Sequence, residues 1–298
     1  MNTYLKYTLL ILGISAVTAC DDYRFDDYAQ DFDYTAVYFP HQQLTRTFVY
    51  GEFDHIQVAV QMGGRRTNNR SEWVAFEIDN EMSVDGYTML PSSHYALSDD
   101  DFFPIKPGDL GGELTLTVNK AFFEDIADGS QFYIPFRLND TSVDSILTTK
   151  DTMILELKVE AAHFGNYYHN GRLTVDSVGG GQEVIHYHQD VPVTNEINNW
   201  ELTSVSYDTL KTNGIANQKS GVSYYGFHLV IGDDGNVGIY PSADSEWQVT
   251  ANGSSVIDTE KKELYLNYKY QDTDGNAYTV ADTLIFRNRI LDGVNQWW

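Results

Sequence analysis

Hydrophobic and polar positions alternate along most of the chain, in short runs separated by Gly, Asp and Asn. A period of two predicts β-strands that bury one face. In the first half of the chain, the spacing of these predicted strands predicts an immunoglobulin-like β-sandwich over residues 35–160. About six or seven strands are expected there, with the clearest runs at residues 36–39, 55–61, 73–78, 113–118, 132–138 and 153–159.

A second set of alternating runs follows a boundary at 160–163 and predicts a second β domain over residues 161–298. Its turns at 233–236 and 272–276 include the Asp, Asn and Gly residues that favour β-hairpins, and 259–262 is a third short turn. A meander of this kind closes into a barrel or folds as a sandwich. Closure removes exposed strand edges and therefore favours a lipocalin-like antiparallel β-barrel. The predicted strands are 171–178, 183–189, 200–208, 227–231, 237–240, 254–258, 263–270 and 277–287.

A helical period is limited to residues 119–128, where Asn119 would cap the first turn and Gly129 would end the last. The expected fold class is therefore all-β. An N-terminal immunoglobulin-like sandwich is followed by a C-terminal antiparallel barrel or sandwich.

The first residues resemble a bacterial lipoprotein signal. Lys6 precedes an apolar run over 9–17, which is shorter than the roughly 20 residues that a membrane-spanning helix needs. This order predicts a signal peptide over residues 1–19. Its last residues and Cys20 (Val-Thr-Ala-Cys) resemble a lipobox, which implies a lipid on the Cys20 thiol and attachment to a membrane. The alternative is an ordinary signal peptide followed by an unrelated cysteine. The acidic stretch 20–34 is predicted to be an extended tether.

Charge and motif content narrow the classes of function. The formal net charge of −24 repels phosphate backbones, so nucleic acid is not an expected partner, whereas neutral ligands carry no electrostatic penalty. The sequence has no Gly-x-Ser-x-Gly elbow, phosphate-binding loop or His-Glu-x-x-His motif. Its 43 acidic residues do not single out a pair for glycoside hydrolysis. We therefore expect neither an enzyme nor a cofactor.

Several segments carry a resemblance to a known family, namely 37–40, 105–108 and 132–138 in the first half and 263–270 and 283–297 in the second. The first three resemble the immunoglobulin-like N-terminal domain of unknown function in Bacteroidetes surface lipoproteins. The other two resemble the C-terminal β domain, also of unknown function, that is often fused to it. The resemblance implies a surface-exposed outer-membrane lipoprotein. Such a protein would assist polysaccharide capture beside glycan transporters of the starch-utilisation type.

The expected function is thus non-catalytic binding of a neutral oligosaccharide or polysaccharide at the cell surface. The alternative is an adhesin or structural subunit that contacts other outer-membrane proteins. Aromatic rings that could stack on a sugar are the candidate ligand-binding residues. One ring of each adjacent pair is expected to lie in the core, and Trp297 is expected to seal a barrel end. The candidates are Tyr168, Tyr224, Tyr225, Trp247 and Trp298.

Two sequence patterns raise the question of a metal. His186 and His188 project to one face of a predicted strand, a spacing that can hold a transition metal, but the further ligands of such a site are missing. Asp272, Asp274 and Asn276 alternate as in a calcium loop without the closing acid, and a hairpin turn is the favoured interpretation. Residues 99–101 are likewise expected to form a solvated acidic loop.

Overall fold

The computed structural model of the chain describes residues 32, 34–126, 131–188, 199–221 and 224–297. The predicted signal peptide, Cys20 and Trp298 lie outside these residues, as does nearly all of the predicted tether. The described part is almost entirely β-structure, which confirms the predicted fold class. None of its helices has the length and apolar character that crossing a membrane requires.

The described strands before residue 161 form two sheets. The strands are β1 Ala36–Tyr38, β2 Gln43–Val49, β3 His55–Gly63, β4 Glu72–Ile78, β5 Thr88–Met89, β6 Tyr95–Leu97, β7 Phe102–Ile105, β8 Gly111–Val118, β9 Phe132–Thr141, β10 Ser145–Ile146 and β11 Thr152–Glu160. One sheet has the order β10-β1-β3-β8-β6. The other has the order β2-β11-β9-β4-β7, with β5 beside β9.

The two sheets share one aromatic core. Phe39, which follows β1, packs edge-on against Phe103 of β7 and Phe136 of β9, with ring centroids 5.9 and 6.5 Å apart. A short helix, α1 (Lys120–Ile126), covers one end. Its first turn is capped as predicted, because the Phe122 N–H donates to Asn119 Oδ1 at 3.3 Å. A 3₁₀ turn lies at Ser92–His94.

The strands after residue 161 belong mainly to one curled sheet. They are β12 Gly165–Asp176, β13 Gln182–Tyr187, β14 Trp200–Ser204, β15 Thr209–Thr212, β16 Gly214–Ile215, β17 Gln218–Lys219, β18 Phe227–Ile231, β19 Val237–Pro241, β20 Thr250–Ala251, β21 Val256–Asp258, β22 Glu263–Gln271, β23 Ala277–Leu291 and β24 Val294–Trp297. Their order is β19-β18-β15-β14-β12-β23-β22-β20, with β13 beside β12, β21 beside β22 and β24 beside β23. Strands β16 and β17 pair separately.

The two ends of this sheet come together and almost close a barrel. The Val237 N–H donates to Ser255 O, and the Ile257 N–H donates to Gly235 O, each at 2.9 Å. The sheet follows the predicted meander, in which each hairpin leads to the neighbouring strand. The division into two independently folding domains at residue 160 stays a prediction, although each half has its own hydrophobic core.

The structure differs from the predicted strands in several places. Strands β2, β7 and β15 were not predicted. In β2 the last three residues are all buried, which breaks the alternation of its sequence. The predicted strand 200–208 is too long: β14 ends at Ser204, and a turn follows that the Ser206 hydroxyl stabilises by donating to Asp208 Oδ1 at 2.8 Å.

A buried carboxylate organises the barrel interior. Asp282 of β23 is 2 % exposed and accepts hydrogen bonds from the hydroxyls of Tyr187 and Tyr268, the latter at 2.6 Å. His169 Nε2 lies 3.1 Å from the same carboxylate. Burial, and then the charge of Asp282, raise the pKa values of both phenols, so both remain protonated donors. A Cβ on Gly171 would collide with Asp282 and Tyr187, so this position of β12 requires glycine.

We expect Tyr268→Phe to destabilise the barrel by about 1–3 kcal/mol, because it leaves a buried acceptor and a buried donor without their partner. The Tyr268 hydroxyl also accepts from the Ala216 N–H at 2.7 Å. Urea unfolding followed by tryptophan fluorescence measures the change. Tyr265→Phe is the matched control. Tyr265 is half-buried, and the one hydrogen bond described for its hydroxyl is donated to Glu263. Equal stabilities of the two variants would contradict the role given to the Asp282 network.

Candidate functional site

A cleft of about 430 Å³ lies where the two halves of the chain meet. Tyrosine and phenylalanine rings form much of its wall, and acidic and basic side chains stand at its rim. The aromatic residues are Tyr50, Tyr167, Tyr207 and Phe286, and the charged residues are Glu52, Asp208, Asp233, Lys262 and Arg289.

Turns at one end of the barrel supply most of this lining. The β14–β15, β18–β19 and β21–β22 turns all lie at this end, because alternate turns of a meander return to the same side. The N-terminal sandwich closes the cleft with the turn after β2, where Gly51 has φ +73°. Tyr50 from that turn meets Tyr207 of the barrel edge-on, with ring centroids 4.8 Å apart.

A bidentate ion pair joins the two halves beside the cleft. The Arg289 guanidinium donates to both carboxylate oxygens of Glu52, at 3.2 and 2.6 Å. Its Nε donates to Gln296 Oε1 at 2.8 Å. The Arg289 side chain is only 6 % exposed, and that of Glu52 is 28 % exposed. A second link runs from Thr47 N–H and Oγ1 to the Asp292 carboxylate, at 3.2 and 2.7 Å. Together these contacts fix the width of the cleft.

The charges in the cleft change the acidity of two groups. Burial raises the pKa of Glu52, but the hydrogen bond and charge of Arg289 and the contacts with His163 lower it more, so the net shift is downward. Burial lowers the pKa of His163; the charge of Glu52 opposes this effect, whereas Arg289 and Lys262 add to it. At neutral pH the cleft therefore contains an ionised Glu52 and a neutral imidazole.

His163 also has a strained backbone. Its φ is +68°, a region that non-glycine residues rarely occupy and that often marks functional positions. Its carbonyl accepts from the Tyr167 hydroxyl at 2.5 Å. Nearby Gly165 has φ +139°, and a Cβ there would lie 2.8 Å from Asn288 O. The segment that leads into β12 is thus held tightly against β23, and it presents His163 to the cleft.

This arrangement suits a ligand with both apolar faces and hydroxyl groups. The tyrosine rings offer flat apolar surface and phenolic donors. Asp208 and Asp233 offer acceptors at the rim. Burial and the charges of Asp208 and Glu124 raise the pKa of Tyr207, so its hydroxyl is protonated.

The residues predicted from sequence lie elsewhere, and none of the four that the structure describes lines the cleft. Tyr168 is half-buried on the outer face of β12, and its neighbour Tyr167 lies in the core, as the alternation predicted. Tyr224 and Tyr225 precede β18 in a loop. The Tyr224 hydroxyl donates to Thr212 O at 2.7 Å, and Lys211 Nζ lies 4.1 Å from the Tyr224 ring centroid.

The structure brings Tyr225 and Trp247 together at the other end of the barrel. Their ring centroids are 4.6 Å apart, and Trp247 also stacks on Tyr270, which stacks in turn on Tyr278. Tyr270 belongs to the buried barrel core, and the half-buried rings of Tyr225, Trp247 and Tyr278 pack on that core. The expectation that Trp297 seals a barrel end was wrong, since it lies on the last described strand and is 62 % exposed.

The structure places the residues of the two metal patterns on or beside β13 and in the turn between β22 and β23. His186 is exposed on β13, and His188 lines a cavity of about 190 Å³ with His169 and Trp200. The Asp272 carboxylate accepts from the Asp274 and Asn276 N–H groups, which confirms the hairpin turn. Within the described ranges, no three His, Cys, Asp or Glu residues are placed to hold a metal ion.

Comparisons with known proteins agree with this fold. Residues 32–145, less than half of the chain, match the model of a family described as "-like, N-terminal domain". A protein of unknown function from Bacteroides ovatus aligns over 89 % of this chain and 98 % of its own, with 21 % identity and a TM-score of 0.68. An auxiliary nutrient binding protein from Bacteroides thetaiotaomicron aligns over 86 % of this chain and 96 % of its own, with 14 % identity and a TM-score of 0.41. A search of curated proteins gives no match. The first similarity shows that a solved structure shares both β units.

Glu52→Gln should lower the free energy of unfolding by about 2 kcal/mol, because it leaves the buried Arg289 guanidinium without a counter-charge. The expected loss of stability is smaller than for a fully buried ion pair, because the Glu52 side chain is partly exposed. Urea unfolding is the measurement. Asp258→Asn is the control, since it removes the partner of Lys261 in an exposed pair and should change little. A loss no greater than that of the control would show that the Arg289 pair does not hold the two halves together.

His163→Gly should stabilise the protein by about 1 kcal/mol at pH 8, since glycine adopts a positive φ without strain. The gain should grow at pH 5. The pKa of His163 is lower in the folded state, so unfolding takes up a proton, and the native protein loses stability as the pH falls through about 6.5. Urea midpoints at both pH values test this, with His186→Ala as a control at an exposed position. A gain that does not depend on pH would contradict the buried neutral imidazole.

Proposed function

We propose that the protein binds a neutral oligosaccharide or polysaccharide in the cleft between its two β units. The tyrosine-walled cleft, with carboxylates at its rim, is the observation that carries this proposal. Aromatic rings pack on the apolar face of a pyranose, and carboxylates accept hydrogen bonds from its hydroxyls. The strong negative charge of the chain disfavours anionic ligands. The proposed ligand is therefore a neutral glycan.

We further propose that this binding occurs at the outer face of an outer membrane, through a lipid on Cys20. The lipobox-like residues 17–20 and the acidic stretch 20–34 support this part of the proposal. So does the family domain matched at 32–145, which would follow such a tether directly. In this role the protein is an accessory that captures glycan for a transporter and does not cleave it.

A second candidate function is docking to another outer-membrane protein. The tip of the β23–β24 hairpin favours it, because Ile290 and Val294 are apolar and more than 60 % exposed there. An exposed apolar patch is a common feature of protein contacts. A protein that binds no glycan but co-purifies with a transporter would support this alternative.

Tyr207→Ala should weaken glycan binding about tenfold, or about 1.4 kcal/mol, because it removes an aromatic wall of the cleft. Affinity electrophoresis and isothermal titration against a panel of neutral polysaccharides measure the change, and product analysis of the same panel tests for cleavage. Tyr240→Ala is the matched control, since Tyr240 is an exposed tyrosine of the barrel outside the cleft. Undiminished binding by Tyr207→Ala would exclude the cleft as the binding site.

A further inference from the structure

We propose that the barrel carries a second carbohydrate-binding site, in a polar groove on its outer wall. The groove has a volume of about 290 Å³ and lies beside β12, β14, β23 and β24. This inference rests on the proposed glycan-binding function and adds a site that is separate from the cleft. The ligand class is a neutral hexopyranose unit of the same polysaccharide. The residues that carry the argument are Asn166, Asn213, Arg287, Asn288, Asn295 and Trp297.

Side-chain amides dominate this groove. Each amide group combines an acceptor oxygen with two N–H donors, and each sugar hydroxyl is both a donor and an acceptor. Amides can therefore pair with hydroxyls without the cost of desolvating a net charge. One carboxylate, Glu201, and two cationic side chains, Lys219 and Arg287, complete the lining.

Trp297 provides the aromatic surface. Its side chain is 62 % exposed, which is unusual for so large an apolar group on a barrel wall. The Arg287 guanidinium carbon lies 6.0 Å from the ring centroid, which helps to hold the indole in place. A flat, exposed ring beside a cluster of amides has the two elements of sugar recognition, an apolar platform and a set of hydrogen-bonding groups.

A buried acceptor in the groove is the second, independent indication of a ligand. Asn288 is only 8 % exposed, and its Nδ2 donates to Asn295 Oδ1 at 2.8 Å. Its Oδ1 is also buried, yet no group in the described part of the chain donates to it. Buried polar atoms without a partner are rare in folded proteins. Reorientation of the Asn288 amide, a side chain that lines the groove, would let a ligand hydroxyl donate to this oxygen.

The groove and the cleft lie on opposite faces of the same hairpin. Asn288 pairs with Trp297 across β23 and β24, and Arg289 pairs with Gln296 at the next position. Successive residues of a regular strand project to opposite faces. A register shift opposite Asn166 and Tyr167 interrupts this alternation at Arg287, and the alternation is regular from Asn288 onwards. Asn288 and Trp297 therefore line the groove, whereas Arg289 and Gln296 point towards the cleft. A polysaccharide that reaches both sites would gain avidity from the short distance between them.

The test compares five proteins with neutral polysaccharides and short oligosaccharides as ligands. They are the wild type, the single variants Trp297→Ala, Val294→Ala and Tyr207→Ala, and the double variant Trp297→Ala/Tyr207→Ala. Trp297→Ala should weaken polysaccharide binding about tenfold, and in Tyr207→Ala it should remove the binding that remains. Val294→Ala is the matched control, because Val294 is an apolar residue of the same strand and is 63 % exposed. Circular dichroism of each variant confirms that the fold is retained.

The outcomes separate the two sites. If Trp297→Ala binds like the wild type while Tyr207→Ala loses binding, the groove proposal is overturned and the cleft stands. If only Trp297→Ala loses binding, the groove stands and the cleft proposal fails. Equal losses of polysaccharide binding in Trp297→Ala and Val294→Ala would show that the loss does not depend on the indole ring, and would overturn the groove. Preferential binding of an acidic polysaccharide would overturn the neutral ligand class, and no binding by the wild type would overturn both sites.

Discussion

The arrangement of the two β units depends on one buried cation. Arg289 cannot lose its proton in a protein, so its guanidinium needs acceptors wherever it is buried. The barrel supplies Gln296 for one edge, and the sandwich supplies the Glu52 carboxylate for the other. In the docked arrangement the guanidinium lies among the rings of Phe53 and Phe164, 5.8 and 5.1 Å away, so the Glu52 carboxylate is needed to compensate its buried charge. The same contact sets the turn that carries Tyr50, so the geometry of the cleft follows from the ion pair.

The β23–β24 hairpin carries the contacts that join the two units. Its tip is anchored to the sandwich through Asp292, and Arg289 lies on the face that contributes to the cleft. Its opposite face carries Asn288 and Trp297. One hairpin thus contributes residues to both the cleft and the groove. If a glycan binds at both, as we propose, two weak sites suit a polymer better than a single deep pocket does, because the second contact forms at high effective concentration.

Much of the fold could be predicted from the sequence, since most strands alternate and the hairpin residues fix their register. The turn at 272–276, for example, makes Tyr270 and Tyr278 cross-strand partners, and their rings do stack. The cleft could not be predicted, because Glu52 and Arg289 lie far apart in sequence and neither belongs to a motif. A partial signal was present: the turns at 233–236 and 259–262 lie at the same end of a meander, where a site would be expected. The positive φ of His163 could not be predicted from the sequence. Histidine adopts a positive φ far less readily than glycine does, so its presence does not indicate this conformation.

The uses of the aromatic residues show why composition alone did not point to the cleft. The sequence contains 21 tyrosines, and adjacent pairs drew attention to Tyr224 and Tyr225, yet these rings pack against Lys211 and Trp247. A ring that is already stacked has little face left for a sugar. Tyr207 makes an edge contact with Tyr50 and lines the cleft, and Trp297 is 62 % exposed beside the amides of the groove. For a β-rich protein with abundant aromatics, the surface that remains free after packing is thus the property that distinguishes a binding residue, and it depends on tertiary contacts that a sequence pattern does not encode.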